Sequence, residues 1–172
     1  VWADRLIAEF GTLAAVLAAP REQLFRLLGN SPAAVACIET NRRAMHFALR
    51  HRLEAGPVIA SDRELHGYLW FTMAHERVET VRCLFLGTAH QLLRDERLST
   101  GTQSEALIAP RDIVYRALEL QATGLILVHN HPSCDPTPSS ADIAATRARV
   151  RAAAPPGTPV HDPMIIGGTA HA

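Results

Sequence analysis

The sequence has no excess of charge of either sign: Lys+Arg and Asp+Glu number 17 each. A globally basic surface that would draw in nucleic acid or an anionic membrane is therefore excluded as a starting point. Long hydrophobic runs are missing too. No stretch approaches the roughly 18 uninterrupted apolar residues of a transmembrane helix, so no membrane span is expected. The N-terminus lacks a basic region, an apolar core and a cleavage site, so no secretory signal is read. The chain begins at Val1 rather than Met and is read as a fragment. Cysteine is scarce: Cys37, Cys83 and Cys134 are scattered and odd in number. That argues against a disulfide framework and fits a reducing cytoplasm. Internal repeats are absent, as are low-complexity tracts beyond alanine clusters.

What is present is enough for a packed core. The chain has 172 residues, 48% of them hydrophobic, which suits one domain of ordinary size or a small pair. Residues 1–53 read as an all-helical region. Leu6, Ile7 and Phe10 recur at helical spacing, Gly11 stops that helix, and Thr12 can cap a second one through Leu17. Pro20 starts a third helix to Leu28. Gly29-Asn30-Ser31-Pro32 is a tight turn, and Pro32 opens a longer helix to about Leu53. Its exposed side carries Arg42, Arg43, Arg50 and Arg52, which reads either as a solvated face or as a phosphate-binding patch. Residues 54–60 are the linker, because Gly56-Pro57 breaks any helix.

From residue 61 to 172 the pattern is mixed. Ser61 caps a helix over Asp62–Ala74. Val81, Cys83 and Phe85 alternate with Arg82, Leu84 and Leu86, which predicts a strand with one face buried and the other partly so. Gly87–His90 turns the chain into a returning strand, Gln91–Leu98. Ser104–Ala109 reads as a further short strand. Pro110 begins a helix to about Ala122. Leu125–His129 is a short, wholly apolar run ending in histidine, expected at the centre of a sheet. A helix from Ser140 to about Ala154 and a last strand, Pro159–Ile166, complete the pattern. The fold class is α/β: a mixed sheet flanked by helices, preceded by a small all-helical region.

The chemistry concentrates in Leu125–Asp142. On a strand, residues i and i+2 face the same side, so His129 and His131 can converge on one ion. Asp142 follows past a loop held open by Pro132, Pro136 and Pro138. Two imidazoles and a carboxylate are three protein ligands, the count typical of catalytic zinc with an open fourth position. A second reading needs no metal: Ser139-x-x-Asp142 is also a capping box, and His129 can end a strand by bonding a backbone carbonyl. Ser139 can cap and face a site at once.

These residues carry a resemblance. His129-x-His131-x7-Ser139-x2-Asp142 resembles the H-x-H-x7-S-x2-D signature of the JAMM/MPN+ metalloproteases. The longer run H-N-H-P-S-x-D-P-T-P-S-x-x-D, with A-L-E-L-x-A-x-x-L-I-L-V before it, is similar to the bacterial RadC family. So are C-L-F-L-G-T-A-H-Q-L-L near residue 83, P-R-D-I-V-x-R-A-L from 110 and V-H-D-x-x-I-I-G from 160. The resemblance covers about residues 60–168. It implies a JAMM/MPN-type, cytidine-deaminase-like layered fold in which His129, His131 and Asp142 bind zinc (Zn2+). It implies that Ser139 holds the water or the developing oxyanion. It implies a glutamate general base at the start of an earlier core strand, where Glu79 matches and Glu76 is the neighbour. The implied activity is a zinc-dependent hydrolase acting on a peptide or isopeptide bond, with a peptide or protein substrate.

The chain departs from that family in three places. Cys134 replaces a glycine of the H-P-S-G-D loop, Pro163 stands where histidine is usual, and the chain stops early at Ala172, so the C-terminal end is read as incomplete. The N-terminal part resembles the family's helix-hairpin-helix region, with Ser31 in place of the second glycine of a Gly-x-Gly hairpin. That region motivates the rival reading, a DNA-associated binding module with a structural or inactive metal site. Its arginines at 42–52 are the other support. A third reading is an accessory scaffold with a vestigial site. The letters H-N-H at 129–131 do not make an HNH nuclease, whose three residues are spread across a ββα unit.

Overall fold

The computed structural model describes residues 1–58, 62–76, 78–100, 110–131, 161 and 164–167. The expected strand at Ser104–Ala109 and the helix from Ser140 lie outside the described residues. Four helices open the chain: α1 (Trp2–Phe10), α2 (Leu13–Ala18), α3 (Arg21–Leu27) and α4 (Pro32–Ala55). Their starts follow local chemistry. Thr12 Oγ1 accepts the Ala15 N–H at 3.1 Å, and Ser31 Oγ accepts the Ala34 N–H at 3.4 Å, each relieving an amide with no partner inside its helix. Leu6, Val16, Leu24, Leu28 and Val35 bury together as the core of this helical part.

The remaining elements are α5 (Asp62–Met73), β1 (Thr80–Leu86), β2 (Leu92–Thr100), α6 (Pro110–Glu119), β3 (Gly124–His131) and β4 (Met164–Gly167). The sheet runs β2-β1-β3-β4; β1 is antiparallel to both β2 and β3, and β3 is parallel to β4. It is thus a mixed sheet with helices on its faces, as the sequence pattern predicts. Of the predicted last strand, Met164–Ile166 is strand. His161 precedes β4, with its N–H donating to the Leu125 carbonyl at 3.0 Å.

The two central strands sort their side chains strictly by parity. Leu84, Leu86, Ile126 and Val128 pack with Leu65, Tyr68, Leu69 and Met73 of α5. Cys83, Phe85, Leu125 and Leu127 pack with Ile113 and Ala117 of α6. Leu84 and Phe85 are both 0% exposed, so from Cys83 onward both faces of β1 are fully buried, where the pattern predicts one buried and the other partly so. The reason is a helix on each side of a strand that also has a strand at each edge. Burying a Leu or Phe contributes about 1.5–3 kcal/mol, and truncating Phe85 to Ala would cost about 3–5 kcal/mol.

Helix α4 ties the two parts together. Its C-terminal Leu53, together with Val58, belongs to the α5-side core. Beneath it lies a buried polar node: Asp95 accepts the Tyr68 hydroxyl at 2.6 Å and the Arg82 Nε–H at 2.9 Å, and its side chain is 1% exposed. Burial above all, and then the Asp95 charge, push the Tyr68 hydroxyl pKa well up.

Candidate metal centre

Strand β3 delivers the first histidine. His129 is buried at the C-terminal end of the strand, where its backbone partners are Val81 of β1 and Ile165 of β4. The strand stays regular to His131, so positions 129 and 131 share a face. By parity this is the face of Leu125 and Leu127, toward α6.

Glu79 stands one residue before β1, whose register with β3 begins at Val81 and His129. Val81 pairs with His129 and Arg82 with Val128, so continuing two residues outward sets position 79 opposite position 131. Parity gives Glu79 the face of Val81 and Cys83, which is also the face of His129. Glu79 is exposed. Glu76 goes elsewhere. Its carboxylate takes the Arg97 Nη2–H at 2.5 Å, and Arg97 is the strand partner of Arg82 on the α5 side. Of the two glutamates, the register favours Glu79.

What holds Glu79 there is Asn130, the residue between the histidines, which the sequence reading passed over. Its side chain points to the opposite face, toward the end of α5, and is 1% exposed. Its Oδ1 accepts the Thr80 N–H at 2.9 Å. Its Nδ2 donates to the Val78 carbonyl at 3.2 Å and, at the limit of hydrogen-bonding distance, to the Glu76 carbonyl at 3.5 Å. The available signal was an amide side chain inside an apolar strand, which must find partners when buried.

Ser139, Asp142, Cys134 and Pro163 lie outside the described residues. Among the described residues no set of three or more His, Cys, Asp or Glu side chains gathers as a metal site. The part that is described fits zinc: a buried imidazole on a rigid central strand, with a second histidine two residues on and a carboxylate across the register. Neutral imidazole is a borderline-soft nitrogen donor suited to that ion.

At the other end of the chain, the turn after α3 has Gly29 at φ 63 and Asn30 at φ 58. Glycine takes that left-handed backbone freely and asparagine tolerates it, which explains both residues. Two of the turn's amides are spent internally: Asn30 N–H donates to the Phe25 carbonyl at 2.8 Å and Ser31 N–H to the Leu28 carbonyl at 3.3 Å. A hairpin that offers amides to phosphate keeps them free, so this one is poorly equipped.

Residues 59–172 match the family described as RadC-like JAB domain. A relative named UPF0758 protein, from Rhodobacter capsulatus, is 42% identical over 165 residues, covering 96% of this chain and 77% of its own length. The chain belongs to the RadC family. The RadC match includes β1, β3 and the whole H-N-H stretch, so the histidines and Glu79 fall inside the JAB domain. Among the described residues of this RadC protein, no helix is long and apolar enough to cross a membrane.

Proposed function

We propose that this RadC protein is a zinc-dependent hydrolase of the JAMM type, cleaving a peptide or isopeptide bond in a protein or peptide substrate. The observation that supports the reading is the β1–β3 register, which pairs Val81 with His129 and, continued two residues beyond its end, would set Glu79 opposite His131. His129, His131 and Asp142 would hold the ion. Zinc, when bound, supplies Lewis acidity and makes hydroxide available near neutral pH. Glu79 then takes a proton at its carboxylate and returns it to the leaving nitrogen, which is why a carboxylate must stand beside the ligands and not among them. Ser139 donates a hydrogen bond to the oxygen on which charge develops. The buried sheet excludes water from one side of this arrangement. The reading places the protein in the cytoplasm, in keeping with its unpaired Cys37 and Cys83.

Metal analysis of the purified protein tests the proposal first. Near-stoichiometric zinc is expected, lost in the His129→Ala, His131→Ala double variant together with any hydrolysis. A protein that neither contains zinc nor takes it up sinks it. The DNA-associated alternative is weakened by the engaged amides of Asn30 and Ser31. Strong, steeply salt-dependent binding to duplex DNA would restore it.

A further inference from the structure

The arginines of α4 do not all lie on a solvated face. Arg42 and Arg43 border a cavity of about 550 Å³ between α4, the C-terminal half of α5 and the start of β1. Cavities of roughly 300–1,000 Å³ are those that take small organic ligands. His46, His75 and Arg82 line the same space, and Phe71, Val78 and Pro20 give it an apolar wall.

The charge around this cavity is one-sided. Among the described residues Glu76 is its single carboxylate, and that group is bound to Arg97. Arg82 gives its Nε–H to Asp95, which lies outside the cavity lining. Thr72 turns its hydroxyl back to the Tyr68 carbonyl at 2.9 Å. Arg21, Arg50, Arg52, Arg82, Arg94, Arg97 and Arg116 all have carboxylate partners. Among the described residues Arg42 and Arg43 have none; Arg5, Arg26 and Arg63 share this lack, but Arg42 and Arg43 are the two that border the cavity. His46 stands in the field of other arginines of this region. Its pKa is lowered by burial first, and then by the Arg82 and Arg50 charges. Unpaired like charges held around a cavity repel one another, and an anion between them removes that cost.

We propose that this cleft binds a phosphate-bearing small molecule, with the phosphate between Arg42 and Arg43 and the organic part against Phe71, Val78 and Pro20. Arginine is suited to the first task, because its planar fork meets two phosphate oxygens at once. The chain makes no use of lysine at all, so every one of its 17 basic side chains has that geometry. The apolar wall favours an ester over a bare ion. The limited volume of the cleft and the zero net charge favour a small molecule over a nucleic-acid backbone, which needs an extended basic track. This site faces α5, on the side of the sheet away from His129, and is independent of zinc.

The test uses the full chain with Trp2→Phe, which leaves Trp70 as the remaining tryptophan. The Trp70 ring meets the His75 ring edge-on at 5.2 Å, and His75 lines the cavity, so tryptophan emission reports on its contents. Adenosine monophosphate and pyrophosphate are titrated against sodium chloride at matched ionic strength. Both phosphates are expected to change Trp70 emission saturably and to raise the melting temperature by several degrees. The Arg42→Ala, Arg43→Ala double variant is expected to lose both responses while melting no lower than the parent without ligand. An equal response to chloride, a response that persists in the double variant, or binding of a DNA duplex without any response to the two small phosphates would overturn the proposal.

Discussion

Asn130 Oδ1 accepts the Thr80 backbone N–H at 2.9 Å, joining residues fifty positions apart inside a buried corner of the sheet. One side chain thereby locks the entry of β1 to the end of β3. The same amide also reaches the Val78 and Glu76 carbonyls. Glu79 lies between the clamped residues, and His129 and His131 flank Asn130 in the sequence.

Replacing Asn130 with Ala is therefore expected to act on Glu79 rather than on the metal. It strands the Thr80 amide and two carbonyls, at a cost of about 1–3 kcal/mol. Zinc content should stay near that of the parent, while hydrogen exchange at the Thr80 amide rises and peptide hydrolysis falls. An unchanged Thr80 exchange rate would show that the clamp does not hold.

The pieces of this site differ in how readable they are. Thr12 as a cap, Pro110 at a helix start and the apolar Leu125–Val128 strand follow from local chemistry, and the structure has each where the sequence predicts it. Parity along β1 and β3 was also readable, since side chains alternate whatever the partner. Register was not. Nothing in the spacing says that Val81 rather than Cys83 meets His129, and that two-residue difference decides whether Glu79 reaches the histidines. The Tyr68–Asp95–Arg82 node joins α5 to a hairpin and was equally hidden. The cavity beside Arg42 is lined from α4, α5 and β1 together, while Leu53 and Val58 set the end of α4 in the sheet's core. A helix read alone shows only an arginine-rich face.

The Asp95 node should matter most to stability. Asp95→Ala leaves the half-buried Arg82 without its carboxylate and the buried Tyr68 hydroxyl without its acceptor. Stranding a buried hydroxyl and a half-buried guanidinium in this way costs about 1–3 kcal/mol. Asp95→Asn keeps an acceptor for Tyr68 and should lose less. Urea unfolding of the three proteins would rank them, with Asp95→Ala lowest.

His46 sets an acid-side dependence. Its pKa in the folded chain lies below the ordinary value of 6.5, through burial and the neighbouring arginines. The unfolded chain therefore takes up the proton first as pH falls, and protons bound preferentially by the unfolded state destabilise the fold. The favourable contribution is fully present above pH 6.5 and is lost as pH drops through 6.5 toward the lower folded value. His46→Gln should flatten that part of the stability curve. Chemical denaturation between pH 7.5 and about pH 5 checks it, as a difference between the two proteins.

Glu79→Gln separates holding the metal from using it. The amide keeps the size and exposure of the carboxylate but cannot accept a proton and carry it onward. Glu79 is outside the expected ligand set, so zinc stoichiometry and melting temperature should match the parent. Hydrolysis of any peptide or isopeptide substrate should fall by about 10²–10⁴-fold, the usual contribution of a positioned general base. Glu76→Gln is the control. Its carboxylate serves Arg97 on the far face, so it should lose that surface ion pair, about 0–1 kcal/mol, and keep its turnover. If the two variants exchanged these outcomes, Glu76 would be the base, and the β1–β3 register could not be continued past Val81 in the way the proposal requires.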